Sequence, residues 1–156
     1  MSNNFKMNGL PTSVLFACTM NSVRSAMAEG ILKKILGDSI YVDSVGKQVG
    51  EKNGYMIQVM NEIGINLSNH NPKTFDSLDD TSFDMIISLS PEAQHAAVEL
   101  TRWMACELIY WPTFDPDAIR GRREAQLIGF RKIRDDLIDK IETNFLLKTN
   151  NDVKMS

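Results

Sequence analysis

Apolar and polar positions follow two different rhythms along this chain, and they alternate. Ser13-Val14-Leu15-Phe16-Ala17-Cys18 is a short continuous apolar run, the pattern of a strand buried on both faces. Met27, Ile31 and Ile35 then recur every four residues, with Ala28 and Leu32 beside them, which predicts a helix stopped near Gly37. Ile40-Tyr41-Val42 predicts a second strand. Met56, Val59, Met60 and Ile63 form the stripe of a second helix ended by Gly64. Residues 65–82 are polar and irregular. Asp84-Met85-Ile86-Ile87-Ser88-Leu89 predicts a third strand. Ser90 and Pro91 then open a helix whose stripe is Ala93, Ala97, Leu100 and Met104. Cys106 to Trp111 predicts a fourth strand, and Leu127, Phe130, Ile133, Leu137, Ile141 and Phe145 a last helix.

Strands that alternate with helices pair in parallel through right-handed crossovers. The expected architecture is α/β: a three-layer sandwich around a four-stranded parallel sheet. One domain is expected over 13–146, with loose polar tails at 1–12 and 147–156. In such sheets ligands bind at the carboxyl ends of the strands, where Cys18 falls.

Composition narrows the function. Of 156 residues, 43% are hydrophobic and 24% charged, which is globular rather than disordered. With 17 basic and 20 acidic residues the net charge is −3, so neither nucleic acid nor a membrane surface is an expected partner. No apolar run approaches the roughly 20 residues of a membrane span, and the N-terminus has no signal core, so a cytoplasmic location is expected. Two cysteines, Cys18 and Cys106, and two scattered histidines, His70 and His95, suit neither a disulfide framework nor a metal site. Free thiols fit a reducing compartment.

The chemistry lies in Cys18-Thr19-Met20-Asn21-Ser22-Val23-Arg24-Ser25. A tight loop from strand to helix turns several backbone N–H groups inward, and with the helix's positive end they form an anion cradle. The pattern predicts a phosphate-binding loop between the first strand and the first helix, with residues 19–25 around the anion. Arg24 adds a planar fork for two oxygens. Cys18 sits at the floor, where the positive field favours thiolate and makes sulfur a nucleophile. Asn21 tolerates the left-handed backbone such a loop demands. The bland alternative is a buried small Cys18 and a solvated Arg24. A leaving oxygen also needs a proton. Asp115, in Asp115-Pro116 after the fourth strand, is the acid best placed by position, with Asp117 its competitor. Asp-Pro is also a common turn former.

These segments resemble the low-molecular-weight protein tyrosine phosphatase family, which also contains the thioredoxin-coupled arsenate reductases. The resemblance runs from Val14-Leu15-Phe16-Ala17-Cys18 through Asn21, Arg24-Ser25 and Met27-Ala28-Glu29 to Asp43-Ser44-Val45-Gly46, Phe83-Asp84-Met85-Ile86 and Asp115-Pro116. It implies Cys18 as the nucleophile that becomes a phosphocysteine, Arg24 as phosphate clamp, and Asp115 as acid and then base. It implies Asn21, Ser25 and Ser44 as hydrogen-bonded support, and no metal or organic cofactor. The implied substrate is a phosphorylated protein or small aryl phosphate, and inorganic phosphate or sulfate would occupy the same loop.

The chain also departs from the family. Met20 stands where glycine is usual, Val23 where many members have a second loop cysteine, and Ala26 replaces a proline. Asp117-Ala118 follow Asp115-Pro116 where phosphatases often carry tyrosines. Gln48, Val49, Tyr55, Trp111 and Phe114 are then candidates to line the pocket, although such aromatics are more often core. An arsenate reductase needs two further thiols just after the third strand, where this chain has Ser88-Leu89-Ser90, and Cys106 is expected to be buried and inert. A phosphoanion-binding module without turnover is the non-enzyme alternative. His70 is expected in a surface loop. The basic residues Arg120, Arg122, Arg123, Arg131, Lys132 and Arg134 are expected on a solvated face balanced by Asp135, Asp136 and Asp139.

Overall fold

The computed structural model describes residues 10–79 and 82–146. Four strands, β1 (Ser13–Cys18), β2 (Tyr41–Gly46), β3 (Met85–Ser88) and β4 (Glu107–Tyr110), form one sheet in the order β2-β1-β3-β4, and every pair is parallel. The intervening helices are α1 (Arg24–Leu36), α2 (Gly54–Asn61), α3 (Pro91–Thr101) and α4 (Arg123–Ile141). This is the three-layer α/β arrangement expected from the alternation.

β1 shows why. It is central and buried on both faces, and its side chains alternate between two cores. Val14, Phe16 and Cys18 face the larger core beneath α1, α2 and α4, with Met27, Leu32, Met60 and Leu137. Leu15 and Ala17 face the smaller core beneath α3, with Ile86, Ala93 and Ala97. Parallel register then brings Cys18 level with Gly46, Ala17 level with Ser88, and Ser88 level with Tyr110. The strand ends therefore share one edge of the sheet.

Several boundaries differ from the hydrophobic pattern. β2 extends through Asp43-Ser44 because its polar residues face partners rather than solvent: Asp43 pairs with Lys73 at 2.8 Å, and Ser44 is fully buried. β4 is shorter than expected and only half-buried, as suits an edge strand. Gly64, at φ +79°, closes the turn after α2, whereas Gly37 ends α1 in ordinary right-handed backbone at φ −61°. The last helix passes at Glu142 into a π-helical turn that buries Phe145. Of the expected N-terminal tail, residues 1–9 lie outside the described residues. Leu10 packs on the larger core, and the Thr12 N–H donates to Asp84 at 2.7 Å. The expected tail at 147–156 also lies outside the described residues.

Candidate active site

The loop after β1 is built on an uncapped helix end. α2 and α3 open on side-chain caps: Asn53 accepts from the Met56 N–H at 3.0 Å, and Ser90 from the Ala93 N–H at 3.2 Å. α1 is longer than either, yet no side chain caps it at Val23 and its first turn carries no acid. Its positive end is thus left to the loop, and an anion is the natural partner for it.

Asn21 turns the loop. It is the one non-glycine residue with positive φ among the described residues, at +56°, and its side chain is fully buried. Nδ2 donates to Ser25 Oγ at 2.8 Å and to Ser44 Oγ at 2.9 Å, while Oδ1 accepts from the Lys73 N–H at 3.0 Å. The same turn carries the Asn21 N–H to Cys18 Sγ at 3.2 Å, and Ser25 Oγ lies 2.9 Å from that sulfur. Two donors can thus meet a thiolate at Cys18, which is only 2% exposed but forms part of a cavity wall.

The segment after β2 holds the loop from outside. The N–H groups of Lys47, Gln48 and Gly50 donate to the carbonyls of Cys18, Thr19 and Met20 at 3.1, 2.9 and 2.9 Å. This close approach needs glycine twice. A Cβ on Gly46 would stand 2.6 Å from the Asn21 nitrogen, and one on Gly50 would stand 2.2 Å from Ser22 Oγ and 2.8 Å from Met20 Cβ.

Arg24, 7% exposed, donates to the Thr113 carbonyl at 3.3 Å and to Thr19 Oγ1 at 3.4 Å. These long bonds use two of its five donors and leave the others for oxyanion oxygens. Thr19 Oγ1 also lies 3.0 Å from Ser90 Oγ and 3.1 Å from Glu92 Oε1, which ties the loop to the start of α3.

A cavity of about 360 Å³ opens over this loop, with Cys18, Thr19, Met20, Ser22, Val23 and Arg24 in its wall. Asp115 and Asp117 line the same cavity from the β4 side. Asp115 caps a short 3-10 turn, its Oδ1 accepting from the Asp117 N–H at 2.9 Å. The cavity thus brings together Cys18, Arg24, Asp115 and Asp117. Asn21, Ser25 and Ser44 lie behind it. Among the described residues no group of acids, thiols and histidines is placed to hold a metal ion, and no helix is long and apolar enough to cross a membrane.

Other candidates fall elsewhere. Tyr55 packs on Phe130 and Trp111 on Phe16, both half-buried against the larger core. Phe114 is 60% exposed beside a neighbouring groove. The cavity's outer wall is instead Gly50 to Asn53 with Glu92 and Pro116. Cys106 is half-buried, and burial pushes its thiol up to about 11, so it stays protonated near neutrality. Of the basic residues on the last helix, Arg131 and Arg134 pair with Glu62 across to α2, both at 2.8 Å; Arg134 also meets Asp135.

Four contributors went unassigned in the sequence. His70, expected at the surface, is half-buried with Nε2 at 2.7 Å from the Asn21 carbonyl oxygen, so that nitrogen must carry a proton. Glu29, Glu92 and the Thr113 backbone have no local signal, because their partners lie 15 to 89 residues away.

A family model described as low molecular weight phosphotyrosine protein phosphatase matches residues 13–150. An arsenate reductase of Halalkalibacterium halodurans is 35% identical over 130 residues, 83% of this chain and 92% of that protein. A solved arsenate reductase in the phosphate binding state is 27% identical with a TM-score of 0.66, over 93% of this chain and 99% of its own. The low molecular weight protein tyrosine phosphatase of T. tengcongensis shares the fold, with a TM-score of 0.72 at 24% identity over 88% of this chain and 99% of its own. The chain belongs to the low molecular weight phosphotyrosine protein phosphatase family, within the superfamily that also holds the arsenate reductases.

Proposed function

We propose that the protein is a phosphomonoesterase that hydrolyses phosphotyrosine or similar aryl phosphates through a phosphocysteine at Cys18. The observation that carries this reading is the meeting of three groups in one cavity: a sulfur within reach of two donors, a buried guanidinium, and a carboxyl group in the same wall.

In the first step the Cys18 thiolate attacks phosphorus while the phosphorus–oxygen bond to the leaving group breaks. Asp115, as the carboxylic acid, gives its proton to the departing oxygen. The amides of residues 19–24 and Arg24 hold the three equatorial oxygens, where charge spreads in the transition state. In the second step the Asp115 carboxylate takes a proton from water, the water oxygen attacks phosphorus, and the sulfur–phosphorus bond breaks. Phosphate leaves and the thiolate is restored.

Arsenate reduction is the second reading, favoured by the names of the relatives at 30–35% identity. Through protein thiols it needs two further cysteines to pass a disulfide outward. Ser88 ends β3, and Ser90 is the cap of α3. The remaining thiol, Cys106, precedes β4 at the opposite end of the strands. Register puts Glu107 level with Met85 and Met85 level with Val14. Cys106 is therefore five residues down and two strands across from Cys18, about 19 Å away. A disulfide requires Cα atoms within about 7 Å.

The deciding experiment runs two assays on one preparation. Hydrolysis of an aryl phosphate, abolished by Cys18→Ser, supports the phosphatase. Arsenate-dependent NADPH oxidation with thioredoxin and its reductase, without aryl phosphate turnover, overturns it in favour of the reductase. Phosphate binding with neither activity overturns it in favour of the binding module.

A further inference from the structure

We infer that Glu29, on α1 outside the cavity, is a positioning residue that anchors the far end of the hydrogen-bond chain ending at the Cys18 sulfur. The inference rests on Cys18 being the reactive thiolate.

The argument follows the protons. Glu29 is largely buried, with a side chain 15% exposed, and it pairs with Lys33 one turn along the helix. A carboxylate only accepts, so the short contact between Ser44 Oγ and Glu29 Oε1 places the Ser44 proton on that bond. Ser44 Oγ then has only lone pairs left, and it accepts from Asn21 Nδ2. The amide orientation is fixed independently, because Asn21 Oδ1 faces the Lys73 N–H, which can only donate. The second Nδ2 hydrogen goes to Ser25 Oγ, which therefore accepts there. Ser25 has one proton and two acceptors in reach, Cys18 Sγ at 2.9 Å and the Val45 carbonyl at 3.3 Å. The sulfur is nearer. Glu29 commits the Ser44 proton, the Lys73 N–H commits the amide, and the last donor faces the thiolate.

With a neutral side chain at 29 that can itself donate, the Ser44 proton is no longer held on that bond, and Ser44 Oγ becomes a weaker and less firmly oriented acceptor for Asn21 Nδ2. The amide then holds Ser25 less firmly, and the Ser25 proton can turn to Val45. The chain's effect on the sulfur opposes simple charge. Removing a negative carboxylate near a thiolate would, through space, favour the thiolate. Loosening the chain disfavours it. The titratable groups around Glu29 are Lys33, Lys34 and His70, which share its surface hollow, with the Lys73–Asp43 pair beyond Lys33. Around the sulfur are Arg24, Asp115, Asp117 and Glu92. The substitution tested removes the ion pair with Lys33 and leaves the groups around the sulfur unaltered.

The test reads Cys18 directly. In a Cys106→Ser background, the rate of Cys18 alkylation by iodoacetamide is measured from pH 4 to 9. This neutral reagent reports thiolate without turnover, so a chain that hydrolyses nothing still gives an answer. Glu29→Gln is expected to move the midpoint upward and slow alkylation below the midpoint about threefold to tenfold, the weight of one hydrogen bond. Glu29→Asp, which keeps the carboxylate, restores most of the rate. Ser44→Ala shifts the midpoint in the same direction, and adding Glu29→Gln to it changes nothing further; this pair carries the test should Glu29→Gln alone misfold. A midpoint that falls or stays put in Glu29→Gln, or additive effects of the two substitutions, overturns the inference.

Discussion

Replacing Asn21 separates what its side chain does from what its backbone does. The side chain is fully buried and makes three hydrogen bonds, to Ser25, Ser44 and the Lys73 N–H. At ~1 kcal/mol each, their loss costs about 3 kcal/mol. The backbone sits at φ +56°, where glycine is unstrained and alanine is worse by about 1 kcal/mol. Asn21→Gly is therefore expected to lower unfolding stability by about 3 kcal/mol, and Asn21→Ala by about 4 kcal/mol. Both fall within the 5–15 kcal/mol that such domains hold, so both variants fold. Urea unfolding at pH 7, with unchanged m-value, measures the two differences. Equal stability of wild type and Asn21→Gly would refute the claim that the buried network holds the loop. Asn21→Ala at least as stable as Asn21→Gly would refute the left-handed turn.

Gly50→Ala pushes a methyl group against Ser22 and Met20; it should cost about 1–3 kcal/mol and weaken competitive inhibition by inorganic phosphate, as inhibition kinetics would show. Asp115→Asn should slow hydrolysis of phenyl phosphate about 100-fold or more, whereas Asp117→Asn, which keeps the backbone N–H that Asp115 accepts, should change it little; steady-state kcat for both variants tells them apart. Glu62 is held at about 2 from an ordinary 4.5, chiefly by hydrogen bonds from Arg131 and then Arg134, against a smaller opposing effect of burial. Because its folded value is depressed, its contribution is complete above pH 4.5 and is lost as pH falls towards 2. Glu62→Gln should lower Tm at pH 7 by about 2 °C, the scale of an exposed ion pair in a domain this size, and the gap should close across that window in melts from pH 7 to 2.

The fold was legible because its elements are periodic and mostly local. Val14 to Cys18 reads as a strand and the Met27-Ile31-Ile35 spacing as a helix without knowledge of any partner. Asp43 and Ser44 defeated the same reading, since polar residues in a strand look like its end when their partners, Lys73 and Asn21, are far off in sequence. The site was legible where chemistry is contiguous, in Cys18 to Ser25. It was not legible where side chains converge through the sheet. His70 reaches the Asn21 carbonyl from 49 residues away and looked like an ordinary loop residue. The pocket wall was missed for another reason: aromatic residues near strand ends suggested it, but Tyr55 and Trp111 pack half-buried against the larger core and leave the wall to Gly50–Asn53.

The central claim is that the Cys18 sulfur attacks phosphorus. The direct measurement is acid quenching of the Asp115→Asn variant during turnover of p-nitrophenyl phosphate, whose phenolate leaves without needing an acid, followed by peptide mass spectrometry. Slowed breakdown of the intermediate should leave one phosphoryl group on the peptide carrying Cys18 and none on the peptide carrying Cys106. Steady turnover with Cys18 unmodified throughout, or undiminished turnover by Cys18→Ser, would contradict it.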